Sequence, residues 1–261
     1  MIVTASSLFF RHPGAEEDTL KDLGFTIREG ELVCLLGVNG SGKSTLLALL
    51  AGLFAQRSGD LAVAGNVLPR EGFKLRGRVA LVPQDPDVYI LGSLVEEDLL
   101  LGLDPEDEEG RERALGFARV FGLEHALDQP VQILSHGQKR KLCLASALAA
   151  RPEILLLDEP FAGLDHPASM AMREALSRNK AARLTQVVVG HDLDLMADLA
   201  DSFMLLQNGR IIAAGDAESV FPRLLEAGVR PPCSWFTGGG PAWLGPAGPI
   251  RTDNRNEADH G

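Results

Sequence analysis

The sequence predicts an α/β protein with a mixed sheet, an antiparallel N-terminal part and a helical insertion, and three observations carry that reading. Short runs at 31–36, 154–157 and 186–189, apolar but for Glu31 and Gln186, alternate with helical stretches and lead into glycine or polar residues. Unbroken apolar runs of this kind mark parallel strands covered on both faces, and open α/β sheets bind ligands beyond the carboxyl ends of such strands. The first run passes straight into a glycine-rich turn, Gly37-Val38-Asn39-Gly40-Ser41-Gly42, and then into an apolar-faced helix at 44–50. Ahead of it, segments 2–10 and 19–27, with β-branched and aromatic residues, flank His12-Pro13-Gly14, the signal of an antiparallel pair.

Composition bounds the partners. The chain has 261 residues, 45% of them hydrophobic, enough for one large α/β domain or two small ones. Its net charge of −11 disfavours a nucleic-acid partner, because affinity for DNA or RNA comes mostly from Lys and Arg neutralising phosphates. The acidic run at 104–109 suits a solvated helix start and receives no function. Cys34, Cys143 and Cys233 show no metal-ligand spacing and are expected as buried, reduced thiols of a cytosolic protein. The N-terminus has no basic segment followed by an apolar core, and no run approaches the ~20 apolar residues that span a bilayer. Any membrane role is therefore expected to be peripheral.

The turn at 37–45 is the densest chemical signal. Gly37, Gly40, Gly42, Lys43 and Ser44 match G-x-x-x-x-G-K-[ST], a phosphate-binding loop. Its glycines let the backbone approach the ligand, so that the N–H groups of Asn39, Ser41 and Thr45 and their neighbours point at phosphate oxygens. The helix that follows adds its positive dipole end. Lys43 is expected at the β- and γ-phosphates, and the Ser44 hydroxyl in the shell of a Mg²⁺ ion bridging them. An ordinary glycine turn before a helix would lack the correct flank on both sides.

Further elements follow in order. Short apolar pieces at 61–63, 67–68 and 78–82 continue a sheet, and Gln84 stands just past the last of them. Residues 94–128 turn helical, as an insertion. Ser135 sits where an N-cap would, before a helix at 142–150. The apolar strand at 154–157 ends in Asp158-Glu159, where Asp158 can hold Mg²⁺ through water and Glu159 can take a proton from an attacking water. Gly163-Leu164-Asp165 precedes a helix at 167–180, and the strand at 186–189 ends at Gly190-His191. Strands 203–206 and 210–213, joined by Asn208-Gly209, form a hairpin, and 216–229 holds one or two short helices. Beyond Arg230 the Pro/Gly-rich tail, with Trp235 and Trp243, is expected to be flexible. His12 or Phe10, at the end of the first strand, offers a flat surface for adenine.

Taken together, Gly37 to Thr45, Gln84, Ser135-His136-Gly137-Gln138, Asp158-Glu159, Gly163-Leu164-Asp165 and His191 resemble, in order and spacing, the ATP-binding cassette (ABC) ATPases. The resemblance covers residues 2 to about 230, and its specificity lies in the Ser-x-Gly-Gln motif shortly before the acidic strand. It implies a phosphate-loop NTPase fold of ABC type, with a domain at 1–230, a helical subdomain at roughly 88–150 and a tail at 231–261. Pro83 to Asp87, Val95 to Asp98, Leu134 to Arg140, Phe161 to Asp165 and Ala227 to Pro232 are most similar to the energy-coupling-factor importers, which take up cobalt, nickel or water-soluble vitamins. In that branch His136 often replaces the usual Gly. Two departures stand out: His12 occupies the place of the usual stacking Tyr, and Val88 to Leu91 replaces a polar-aromatic stretch.

The resemblance also implies a mechanism. Two such domains, identical or paralogous, face head to tail, each ATP lying between one phosphate loop and the partner's Ser135 motif. Ser135 and the Gly137 N–H grip the γ-phosphate across the interface, Gln138 is nucleotide-binding beside them, Asp165 crosses the interface, and His191 contacts the γ-phosphate. Glu159 is the general base, and Gln84 senses Mg²⁺ and the attacking water. The reaction converts ATP and water to ADP and phosphate, energising integral membrane subunits from the cytoplasmic face. The alternative is the ATPase of another ABC importer or exporter. A chromosome-maintenance ATPase of this superfamily would need a long heptad insertion and basic surface, and a metabolic kinase a substrate lid in place of Ser135 to Gln138.

Overall fold

The computed structural model describes residues 1–237. Its strands are β1 (Val3–Phe10), β2 (Leu20–Ile27), β3 (Leu32–Leu36), β4 (Ser58–Val63), β5 (Asn66–Leu68), β6 (Val79–Val82), β7 (Ile154–Asp158), β8 (Thr185–Val189), β9 (Ser202–Gln207) and β10 (Arg210–Gly215). The helices are α1 (Lys43–Leu50), α2 (Val95–Leu100), α3 (Glu108–Val120), α4 (His136–Ala149), α5 (His166–Ala181), α6 (Ala217–Val220) and α7 (Cys233–Thr237).

The strands form two sheets. One is antiparallel, in the order β2-β1-β4-β5, and the other runs β10-β9-β3-β8-β7-β6. In the second sheet β9, β3, β8, β7 and β6 are parallel neighbours, and only the β9–β10 hairpin is antiparallel. The pieces at 61–63 and 67–68 therefore belong to β4 and β5 of the antiparallel sheet, whereas 79–82 is the edge of the parallel one. The first three residues of β4 are exposed, as an antiparallel strand allows, whereas β6 is half-buried or buried along its length.

Every residue of β3, β7 and β8 is buried. Because successive strand side chains point to opposite faces, these runs supply two cores at once. Cys34 and Leu36 of β3, with Leu155 and Leu157 of β7, pack toward the helices. Val33, Leu35, Ile154 and Leu156 pack toward α1 and the antiparallel sheet. The central sheet is thus clamped on both faces, which makes its carboxyl edge a rigid platform.

Several boundaries differ from the sequence expectation for local reasons. α4 starts at His136, six residues early, because Ser135 caps it and Gln138 closes a reciprocal capping box. The stretch 94–128 divides into α2 and α3, since Gly102, at φ 87°, stands between them in a left-handed conformation. Tail residues 231–237 include α7, whose Trp235 packs edge-on against Phe221 with ring centroids 5.3 Å apart. The Cys233 N–H donates to Asp194 Oδ1 at 2.7 Å. Cys34 and Cys143 are buried as expected, but Cys233 is exposed at the start of α7. Residues 238–261, including Trp243, lie outside the described residues. Among the described residues no helix is long and apolar enough to cross a membrane.

Candidate functional site

The register of the parallel sheet assembles the site. Val82 pairs with Leu157, so Gln84 and Glu159, each two residues further on, leave the sheet at one level. Asp158 pairs with Val189, which brings Gly190 and His191 alongside. The phosphate loop leaves β3, the neighbour of β8, at the same edge.

The loop closes tightly on itself. Gly37 has φ 150°, and a Cβ there would lie 2.2 Å from the Leu206 carbonyl oxygen and 2.6 Å from Ser41 Oγ. Gly42, at φ 106°, caps α1 in a conformation that a side chain would strain. Lys43 is only 6% exposed, and its ammonium donates to the carbonyls of Gly37 at 2.8 Å and Val38 at 3.0 Å. Burial pulls its pKa down, against the opposing pull of Glu159 and Asp158. The Ser41 hydroxyl is buried with no partner, an unsatisfied polar atom inside the loop. Asn39, Gly40, Ser44, Thr45, Gln84 and Glu159 share with Lys43 the walls of one cleft over the loop.

At the far wall, the Glu159 carboxylate lies between two neighbours. Gln84 Nε2 donates to Oε2 at 3.1 Å, and His191 Nε2 lies 2.8 Å from Oε1. Glu159 has φ 49°, a left-handed backbone that costs a non-glycine residue about 1 kcal/mol or more. The strain persists because its N–H bonds the Val189 carbonyl at 3.0 Å. Asp158, 8% exposed, has its pKa raised chiefly by desolvation. The Ser44 hydroxyl bonded to it, together with Lys43 and His191, works in the other direction. Ser44 and Asp158 thus present a hydroxyl and a carboxylate, hard oxygen donors that fit Mg²⁺. Among the described residues no cluster of three or more His, Cys, Asp or Glu offers an all-protein metal cage. The donor set accordingly fits an ion held largely by phosphate oxygens and water.

The other sequence-predicted residues form a second group. Ser135 Oγ accepts from the Gln138 N–H at 3.2 Å and Gln138 Oε1 from the Ser135 N–H at 2.9 Å, so α4 begins with its donors arranged. Asp165 caps α5, accepting from the Ala168 N–H at 2.9 Å. The turn between them packs on α4: Gly163 lies against the His136 ring and Gly137 against Leu164. None of Ser135, Gly137, Gln138 and Asp165 lines the cleft of Lys43. His12 Nε2 lies 3.2 Å from Thr45 Oγ1, and its ring meets Phe10 and Phe54 edge-on.

Two residues escaped the sequence reading. Thr19 lines the cleft from the start of the second N-terminal segment, and nothing in its local pattern marked it. Arg140, in the second turn of α4, bonds both groups at once, and its i,i+4 relation to His136 was the available signal.

Comparison with known proteins agrees with this geometry. The family model described as ABC transporter matches residues 20–162. The cobalt import ATP-binding protein CbiO of Rhodobacter capsulatus is 38% identical over 240 residues, covering 88% of this chain and 85% of that protein. The energy-coupling factor transporter ATP-binding protein EcfA of Methanocaldococcus jannaschii is 35% identical over 227 residues, covering 84% and 81%. A dimeric ATP-binding cassette in a post-hydrolysis state, bound to ADP and Pi, superposes with TM-score 0.75 at 27% identity, covering 82% of this chain and 98% of that one. A phosphate loop, an acidic strand end and a capped Ser-x-Gly-Gln helix, together with these likenesses, make the conclusion plain: the chain belongs to the ABC transporter family, as an ATP-hydrolysing, ATP-binding subunit.

Proposed function

We propose that this subunit energises an importer of the energy-coupling-factor type, carrying cobalt or nickel ions or a water-soluble vitamin, from the cytoplasmic face of the membrane. The names of the relatives from Rhodobacter and Methanocaldococcus support the branch. The partners are a second ABC ATPase, identical or paralogous, and integral membrane subunits; no nucleic acid takes part.

In this reading the loop amides, with Asn39, Ser41 and Thr45, bind the phosphates of ATP, and Lys43 turns from the Gly37 and Val38 carbonyls toward the β- and γ-phosphates. Ser44, Asp158 and Gln84 would hold Mg²⁺, which when bound offsets phosphate charge. Glu159 accepts the proton of the attacking water, with His191 beside it at the γ-phosphate. His12, next to Thr45, offers its ring to adenine. Ser135, Gly137 and Gln138 complete the site of the partner subunit, across an interface that Asp165 borders. ATP charge then holds the pair together, and loss of the γ-phosphate lets it part.

One observation carries the reading: the Glu159 carboxylate, on a strained backbone, stands at the open end of the phosphate loop between Gln84 and His191. Glu159→Gln tests it. The variant should bind ATP as tightly as the parent and hydrolyse it about 100-fold or more slowly, the scale of a lost general base. Near-normal turnover would remove Glu159 from that role. For the branch, copurification with the membrane partner followed by metal analysis decides between a metal cargo and a vitamin.

A further inference from the structure

We propose that Arg140, keyed by His136, is a positioning residue for hydrolysis, tying the Ser135 helix to the backbones that aim Gln84 and Glu159. The inference rests on Glu159 acting as the base.

Arg140 is only 5% exposed, and its guanidinium is shared among three elements. Nη1 donates to the Glu159 carbonyl at 2.6 Å, Nη2 to the Gln84 carbonyl at 2.7 Å, and Nε lies 3.1 Å from His136 Nε2. A planar, rigid fork can satisfy two carbonyls and a ring nitrogen at once, which a lysine ammonium on a flexible stem cannot reproduce. The two carbonyls belong to the residues whose side chains meet at 3.1 Å in the cleft. Glu159 is also the residue at φ 49°, and its carbonyl accepts in addition the weaker Ala162 N–H at 3.1 Å. A charge-assisted bond at this point holds the strained peptide, and so the direction of the carboxylate.

His136 contributes the specific part. The Arg140 Nε–H can only donate, so His136 meets it with the Nε2 lone pair as acceptor. The same ring lies against Gly163, 3.6 Å from where a Cβ would be, so the Gly163–Asp165 turn is pinned to the same contact. His136 is itself exposed at the first turn of α4, beside the Ser135 and Gly137 groups assigned to the partner subunit's ATP. Through Arg140, the end of α4 that meets one nucleotide is mechanically continuous with the groups that act on the other.

The test uses the full chain with its membrane partner, steady-state ATP hydrolysis and equilibrium ATP binding. His136→Ala removes the acceptor at an exposed position, and His136→Gln restores one near the place of Nε2. His136→Ala should lower kcat about 10-fold, the effect expected of a misdirected base, with KM and ATP affinity within about 2-fold of the parent. His136→Gln should recover most of that loss, and Arg140→Lys should stay as slow as Arg140→Met. A full kcat in His136→Ala, no recovery in His136→Gln, or a loss confined to KM would each overturn the proposal. Slow hydrolysis by Glu159→Gln in the same series keeps the assignment of the base separate, since its failure would show there and not in the His136 pair.

Discussion

Replacing Lys43 by Met separates what the phosphate loop does for nucleotide from what it does for the fold. The substitution keeps an unbranched side chain and removes the ammonium, which is bonded to the Gly37 and Val38 carbonyls. For stability two effects oppose. Two acceptors lose their donor, at about 1 kcal/mol each. An ammonium whose pKa burial already pulls down no longer has to be desolvated. The net change should stay within about 2 kcal/mol, a Tm shift of no more than about 8 °C for a chain of this size. For binding the loss of the ammonium dominates, since the carbonyl bonds it gives up on turning to the phosphates are worth only about 1 kcal/mol each. Truncating one member of a buried charge pair costs about 2–5 kcal/mol. At 1.4 kcal/mol per decade, Kd for ATP should rise by roughly 30-fold to a few thousand-fold. Equilibrium dialysis and thermal melting of the same preparation read the two quantities. An unchanged Kd would refute the placement of Lys43 at the phosphates, and a Tm that collapsed by tens of degrees would make its role structural.

Other consequences are separately measurable. The Asp158 pKa is raised, first by desolvation, so its ionised form destabilises the folded state at pH values above its folded pKa, and that cost vanishes once the pH falls below the ordinary carboxylate range. Asp158→Asn, without nucleotide, should melt above the parent at neutral pH, with the margin closing on acidification; a lower Tm at neutral pH would contradict this. Arg173, buried in α5, pairs with Asp198 and donates to the Leu195 carbonyl at 2.6 Å. Asp198→Ala removes the carboxylate facing a buried guanidinium and should cost about 3 kcal/mol, a Tm drop of about 6–12 °C. A shift below 2 °C in calorimetry would sink that account.

The parts of the fold written locally could be read from the chain. The buried runs of β3, β7 and β8 appear as largely apolar stretches because both faces are covered, and each leads into residues of the proposed site. Asn208-Gly209 placed the β9–β10 hairpin through the turn it requires, with Asn208 at φ 50°. The division of β4, β5 and β6 between two sheets was not legible, since strand pairing at long sequence separation leaves no trace in so few residues. The start of α4 was missed because Lys139, Arg140 and Lys141 look like a solvated turn. One of them, Arg140, is in fact a buried connector, and the carbonyls it bonds, those of Gln84 and Glu159, are distant from it in sequence.

That connector bears on how, in the proposed pair, one chain would work on two nucleotides. Lys43, Glu159 and Gln84 share one cleft, while Ser135 and Gly137 stand outside it at the start of another helix. A lone chain therefore offers a triphosphate the N-terminus of α1 but not that of α4. In the solved relative that holds ADP and Pi the cassette is a dimer, and pairing is the arrangement that would bring the second helix end to the ligand. If α4 meets the opposite γ-phosphate as proposed, any shift of the helix would move Arg140 with it, because the helix is stiff and the guanidinium is buried. The carbonyls of Gln84 and Glu159 would follow. In the proposed pair, alignment of Glu159 on one side would then depend on occupancy of the other, so any cooperativity of hydrolysis in ATP should be lost in Arg140→Met while equilibrium nucleotide binding is retained.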